Sequence, residues 1–260
     1  MTDRMQSQRF ELKYLISEET ALRVRDFVQS YLSLDEYSAC QPHLAYPVHS
    51  LYLDSDTLKT YWDTINGNRN RFKLRLRFYD AAPDLPVYFE VKRRVNNCIL
   101  KQRASVRQSL APEMLRGFLP SMEQLLNASP KALVAMQTFL GLMAQIQAKP
   151  KVHIAYLREA YANDPGTVRV TMDRAVRAEP NLQGVLRAQM EHPHYAFTPL
   201  VILELKFTDR FPHWFGELVR VFHVMQRGAA KYCASVQAIG DGPLKTIFPV
   251  IPEEEVSIVG

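Results

Sequence analysis

Residues 71–79 read Arg-Phe-Lys-Leu-Arg-Leu-Arg-Phe-Tyr, and this stretch narrows what the chain can fold into more than any other. In a strand, successive side chains point to opposite faces. Arg71, Lys73, Arg75 and Arg77 therefore share one face, and Phe72, Leu74, Leu76 and Phe78 share the other. Two following segments repeat the pattern. Residues 87–94 set Glu90, Lys92 and Arg94 against Phe89 and Val91, and residues 99–107 put Lys101, Arg103 and Arg107 on one face. Much later, Glu204 and Lys206 oppose Leu203, Leu205 and Phe207. Short polar connections, with Pro83 and Pro86 in one and Asn96-Asn97 in the other, favour antiparallel hairpins.

Like charges about 7 Å apart along a strand, or opposite one another across strands, repel. A solvated basic face is the plain reading of such a run. A polyanion that neutralises the face is the sharper one. The apolar faces need cover, which helices elsewhere in the chain can supply. The charged faces are then left turned toward one another, as in a closed barrel with a polar lumen.

The remaining segments fit an α+β fold in one domain spanning residues 1–260. Residues 9–16 alternate, with Arg9, Glu11 and Lys13 opposite Phe10, Leu12, Tyr14 and Ile16. Ser17 caps a helix to about residue 32, with Glu18 and Glu19 in its first turn. A strand is expected over 49–54, then a short helix capped by Asp56 and a turn at Asn66-Gly67-Asn68. A helical insertion covers 111–147, punctuated by Pro112, Pro120 and Pro130. Strands follow over 152–161, 167–173, 184–191 and 200–208, then helices over 214–226 and 229–239.

Bulk properties bound the function. The net charge of +5 is compatible with an anionic ligand without demanding one. Cys40, Cys98 and Cys233 have neither disulfide nor metal-ligand spacing. The N-terminal residues have no apolar signal region, and no uncharged apolar run is long enough to span a membrane. A cytoplasmic location is expected. There is no phosphate-cradling glycine loop, Walker motif or nucleophile elbow. His192-Pro193-His194 has no third ligand and reads as a loop, and His153 reads as a core or hydrogen-bonded side chain.

The carboxylates on the basic faces have two roles open to them. Glu11, Glu90 and Glu204 can form salt bridges that hold Lys and Arg side chains, or ligate a hard metal ion bridging phosphate oxygens. For Glu90 the salt bridge is the better reading, and for Glu204 the two are evenly matched.

Several pieces together resemble the vacuolar transporter chaperone (VTC) domain, the polyphosphate polymerase branch of the triphosphate tunnel metalloenzymes. They are Arg9-Phe-Glu11-Leu-Lys13-Tyr14, Ser50-Leu-Tyr52-Leu-Asp54-Ser55, Lys73-Leu-Arg75-Leu-Arg77-Phe-Tyr79, Phe89-Glu90-Val-Lys92-Arg93 and Lys101-Gln-Arg103. Further on come Tyr156-Leu-Arg158, Val168-Arg169-Val-Thr-Met-Asp173, Leu203-Glu204-Leu-Lys206 and Ala230-Lys231-Tyr232. No one piece is specific; their order is.

The resemblance implies an antiparallel tunnel in which Lys13, Arg75, Arg77, Lys92, Lys101, Arg158, Arg169 and Lys231 act on phosphates. Arg103, Tyr156 and Lys206 would help bind substrate. Glu204 would hold a divalent metal, Mn²⁺ or Mg²⁺, with Glu11 the next candidate. Where the family often has Ser before the late lysine, this chain has Ala230. By parity Tyr156 and Arg158 share a face with Val152 and Ile154, which calls for a bulge or twist.

The implied activity is transfer of the γ-phosphoryl group of ATP to inorganic polyphosphate. A tripolyphosphatase or nucleoside triphosphatase of the same fold is the alternative. Tunnel hydrolases commonly carry Glu-x-Glu-x-Lys in the first strand, where this chain has Arg9-Phe-Glu11-Leu-Lys13. A non-catalytic polyphosphate-binding module is the third reading. Nucleic acid is not expected, because the basic strands offer few aromatic platforms for bases. The implied role leaves room for a membrane-protein partner, which would be a separate chain.

Overall fold

Alternation in the sequence becomes a ten-stranded antiparallel sheet in the computed structural model, which describes residues 9–96, 98–164 and 166–244. In chain order the elements are β1 (Arg9–Ile16), α1 (Glu18–Gln29), β2 (Ser33–Leu34), α2 (Glu36–Ala39), β3 (Tyr46–Asp54), α3 (Lys59–Ile65), β4 (Arg71–Phe78), β5 (Pro86–Val95) and β6 (Cys98–Arg107). Then come α4 (Ala111–Leu115), α5 (Pro130–Gln145), β7 (Lys149–Ala162), β8 (Val168–Pro180), β9 (His194–Tyr195), β10 (Val201–Thr208), α6 (His213–Val221) and α7 (Lys231–Ile239). The main path of the sheet runs β1-β10-β8-β7-β3-β4-β5-β6.

Register puts the expected cations on one side. Arg75 pairs across with Glu90, Lys73 with Lys92, and Arg71 with Arg94. Lys92 pairs with Lys101 and Glu90 with Arg103. On the far half, Lys13 faces Glu204, and Lys206 faces both Glu11 and Arg169. The sheet curls so that this side is concave. Lys92 Nζ on β5 reaches Glu11 Oε2 on β1 at 3.2 Å, although the two strands lie near opposite ends of the sheet. The expected closed barrel is corrected in one respect. Among the described residues no backbone ladder joins β1 to β6, and side chains bridge the seam instead.

Helices cover the convex side because its residues are apolar. Leu51, Leu74, Leu76, Phe89, Val91 and Val106 pack against Met136 and Phe139 of α5. Tyr14, Leu203, Leu205 and Met172 pack against Val24 and Val28 of α1 and Phe215 and Leu218 of α6. Cutting fully buried Phe139 to Ala would cost about 3–5 kcal/mol by cavity formation. The buried His49–His153 pair, Nδ1 to Nε2 at 3.1 Å, stacks on Phe78, away from the basic face.

Helix α7 packs on the concave side. Tyr232, Val236 and Ile239 cover Tyr52, Val152, Ile154 and Ile202. That explains why Val152 and Ile154 share a face with Tyr156 and Arg158: apolar concave positions lie under the helix and polar ones beyond it. β7 carries an irregularity next to Val152, where its pairing with β3 jumps from Tyr52↔Val152 to Leu53↔Pro150, and a second bulge lies in the partner strand β8, where pairing jumps from Ala155↔Arg177 to Leu157↔Arg174 and Ala175 takes φ 49°.

Two further expectations are corrected. Asp56 does not cap α3. That helix begins after Leu58, and Asp54 accepts from the backbone N–H of Thr60 and Tyr61 while Ser55 Oγ accepts from Lys59 N–H. Asp56 instead pairs with Lys149 and Lys151 at 3.0 and 2.7 Å. Residues 184–191 form no strand. They make a loop pinned by Asn181 Oδ1, which accepts from Gly184 and Val185 N–H, and His194 falls in the short strand β9. The insertion at 111–147 is divided at its prolines, as expected, into α4 and α5, with Pro112 in the first turn of α4 and Pro130 opening α5. Among the described residues no helix is long and apolar enough to cross a membrane.

Candidate functional site

The concave face carries two groups of cations, each organised around buried carboxylates. In the first, Glu204 is buried under α7 and touched from four directions. Oε1 lies 3.2 Å from Lys13 Nζ and 3.2 Å from Lys231 Nζ, and Oε2 lies 2.5 Å from Lys206 Nζ and 3.7 Å from Arg158 Nη2. Asp173, also buried, shares two of these partners. It accepts both arms of the Arg158 fork at 2.6 and 2.7 Å and meets Lys231 Nζ at 2.5 Å. Glu11 extends the row, binding Lys13 at 2.9 Å and Lys92 at 3.2 Å.

Local folding places each group. Strand parity turns Lys13, Arg158, Glu204 and Lys206 inward. Lys231 is the first residue of α7, whose position is fixed by Tyr232. The Tyr232 hydroxyl donates to Asp54 Oδ2 at 2.7 Å, and its ring stacks on Tyr52 with centroids 4.9 Å apart.

The second group surrounds Glu90. Arg75 Nη2 approaches at 2.6 Å, Lys101 Nζ at 2.8 Å and Arg103 Nε at 3.9 Å. Arg103 also lies 3.6 Å over the Tyr88 ring, and Arg75 Nη1 donates to the Tyr52 hydroxyl at 3.1 Å. Tyr156 joins the groups: its hydroxyl accepts from Arg77 Nη2 at 3.0 Å, while Arg158 and Lys231 lie over its ring at 5.3 and 4.8 Å. Of the residues expected at the site, Arg169 alone stands apart from both groups. It is held at the mouth by Asp35 at 2.6 Å.

Electrostatics follow from this crowding. Burial opposes ionisation of Glu11, but Lys13 and Lys92 override it and hold its carboxyl down to about 2. Burial likewise opposes the charged forms of Glu90, Asp173 and Glu204, and the neighbouring cations keep all three below the usual carboxylate range. Burial pushes the Lys206 ammonium down to about 8, against the partial support of Glu204. Lys231 goes the other way: Asp173 and Glu204 outweigh burial and raise it.

Metal fit can be judged from the donors. Glu204 offers the hard oxygens that Mg²⁺ or Mn²⁺ prefer, but among the described residues no three His, Cys, Asp or Glu converge as a cage. Such ions are commonly bound by one or two carboxylates together with substrate phosphates. Glu204, with Glu11 nearby, would supply one or two of those carboxylate oxygens.

The sequence reading missed two carboxylates. Asp173 shares parity with Arg169 and Thr171, so alternation alone could have placed it on the basic face. Asp54 acts through hydrogen bonds across more than a hundred residues, for which a linear pattern has no signal.

The VTC domain family model matches residues 8–239. The chain belongs to the VTC domain family. No curated protein matches its sequence. Among solved structures, a Bacillus halodurans protein provisionally assigned as an adenylate cyclase is 14% identical, with a TM-score of 0.49, and the match covers 86% of this chain and 95% of that one. This VTC domain is an α+β fold whose curled antiparallel sheet has a concave face where cations outnumber carboxylates and each carboxylate is shared.

Proposed function

We propose that this VTC domain is a polyphosphate polymerase, which transfers the γ-phosphoryl group of ATP to the end of a polyphosphate chain. The observation that carries the reading is the sharing of each buried carboxylate among several cations: Glu204 among four, Glu90 among three. The cations are thus held in place before substrate arrives. A phosphate chain entering between the groups takes over their contacts without reorganising the backbone, as preorganised electrostatic catalysis requires.

In the proposed step a terminal phosphate oxygen of the acceptor attacks the γ-phosphorus. The bond to the β,γ-bridging oxygen breaks, and ADP leaves with the electron pair. Arg77 supplies a bidentate contact to phosphate oxygens, Arg75 and Arg158 supply the guanidinium donors that Glu90 and Asp173 leave free, and Lys13, Lys101 and Lys231 supply point charges. Lys92 and Arg103, nearer solvent, guide the chain. Glu204 would hold the divalent ion, which when bound neutralises charge developing on the transferred group.

The choice of transferase over hydrolase rests on the acids. The buried carboxylates Glu11, Glu90, Asp173 and Glu204 are all kept ionised by cations and are weak bases near neutral pH. None is poised to deprotonate water, whereas an anionic phosphate acceptor needs no base. The test is incubation with ATP and Mn²⁺ or Mg²⁺, followed by gel separation of polyphosphate and quantitation of ADP. A polyphosphate ladder with matching ADP is expected. ADP with free orthophosphate would assign the hydrolase instead, and no turnover with any divalent ion would leave a binding module.

A further inference from the structure

Cations on the concave face fall into two classes. Those at the centre have a carboxylate, except Arg77, which donates to the Tyr156 hydroxyl. At the end of the face formed by the β4–β5 pair, Lys92 has Glu11 at 3.2 Å, but its neighbours do not have one. Lys73 and Lys92 sit opposite one another, and Arg71 and Arg94 form the next rung on the same face. Like charges directly opposite in a sheet are destabilising. Among the described residues Arg71, Lys73 and Arg94 meet no carboxylate within ion-pair distance. Lys73 Nζ donates to Thr64 Oγ1 at 2.6 Å, Arg94 Nε donates to the Asn96 carbonyl at 2.9 Å, and Arg71 donates to the Asn68 carbonyl. Asp63, on the neighbouring helix, is already taken by Lys59 at 2.6 Å and Asn68 at 2.8 Å.

The opposite end of the face is built differently. There Arg169 is neutralised by Asp35 at 2.6 Å, and Arg107 lies 3.6 Å from Asp84. Among the described side chains, Arg71 and Arg94 thus lie in line with the central groups without a carboxylate partner, while Lys73 also meets Cys233 Sγ at 3.8 Å and the Tyr232 ring. Arg94 is exposed and Arg71 half-buried, so both are accessible.

We propose that Arg71 and Arg94, reached from the centre by way of Lys73, bind the stretch of a linear polyphosphate that lies beyond the Glu204 and Glu90 groups. The inference rests on the proposed function and adds a direction: the distal chain runs along the β4–β5 end. A triphosphate is too short to occupy both the centre and this end. The added contacts therefore act only on long chains, as a linked second binding event of high effective concentration.

The test compares affinities for tripolyphosphate and for polyphosphate of about a hundred units across a series of salt concentrations, since each phosphate contact steepens the salt dependence. The proteins are wild type, Arg71→Gln/Arg94→Gln and Arg75→Gln/Arg77→Gln, with melting curves to confirm folding. The Arg71→Gln/Arg94→Gln protein is expected to lose about tenfold or more in long-chain affinity and to show a salt slope shallower by about two, with less than about a twofold change for tripolyphosphate. Equal losses on both ligands, or none on either, would overturn the inference. The tip of this end also exposes Val95, Ile99 and Leu100. Vesicles containing phosphatidylserine therefore form a third arm. Loss of vesicle binding with long-chain affinity intact would assign the arginines to a membrane surface and overturn the proposal. The Arg75→Gln/Arg77→Gln protein should lose both phosphate ligands; if it keeps tripolyphosphate, the proposed function itself fails, independently of the rim.

Discussion

The two halves of the concave face use the same chemistry at different depths. Around Glu204 the cations are mostly buried: the side chains of Lys231 and Arg158 are each 10% exposed, Lys206 18% and Lys13 26%. Around Glu90 the acid is buried but Lys101 and Arg103 are 48% and 42% exposed. A charge in low dielectric acts strongly and over a fixed geometry, whereas a charge at the solvent edge is screened and mobile. Under the proposed function, the Glu204 half would stabilise the reacting phosphate and the Glu90 half would capture and feed the chain.

The largest expected effect breaks the drier half. Glu204→Gln should abolish metal-dependent turnover while polyphosphate binding is kept or strengthened, because one competing carboxylate is removed from among four cations. The melting temperature without ligand should fall, since removing one partner of a buried ion pair typically costs about 3–5 kcal/mol. The remaining partners Asp173 and Glu11 should hold the loss below that range, and added polyphosphate should restore stability. Normal turnover in this variant would move the metal ligand elsewhere, with Glu11 next.

Glu90→Gln tests the wetter half. Arg75 keeps its hydrogen bond to Tyr52, and the half-exposed Lys101 and Arg103 return to water. Activity should therefore persist, with kcat/KM lower by about tenfold, corresponding to about 1.4 kcal/mol. A loss as complete as that of Glu204→Gln would erase the distinction between the halves.

A subtler test uses protons. Burial has pushed Lys206 down to about 8, so near that pH the free protein holds it only partly charged. A bound polyanion favours the ammonium form and raises its pKa. Calorimetry near pH 8 in buffers of different ionisation heat should record proton uptake on polyphosphate binding, fading as the pH is lowered toward 6. Proton release would contradict the placement of Lys206 beside bound phosphate.

The smallest effect concerns Ala230, which stands at the N-cap of α7 with no side-chain hydrogen bond. Ala230→Ser should raise stability by about 0.5–1 kcal/mol by capping the helix that presents Lys231. Thermal denaturation reads it directly.

Much of this was legible in the sequence because period-two alternation survives into the sheet. Arg75, Lys92, Lys101 and Glu204 were placed on one face by parity, and register confirms it. What parity could not give is coverage. Val152 and Ile154 looked misplaced beside Arg158, because nothing local announces that α7 will pack on the concave side. Caps misled for a similar reason. Asp56 has the right residue type just ahead of α3, but Asp54 two positions earlier is the buried acceptor, locked there by Thr60 and Tyr232. Residues 184–191 lacked a strand because Asn181 and Gly184 turn the chain out of β8.

Binding of a phosphate chain by the concave cations is read out by calorimetric titration of tripolyphosphate into wild type and Arg75→Ala/Arg77→Ala. Saturable binding to wild type is expected, with at least about a hundredfold weaker binding to the folded double variant, the loss of two charge-assisted contacts at about 1.5–3 kcal/mol each. Unchanged affinity in a folded Arg75→Ala/Arg77→Ala protein would contradict that role for the concave cations.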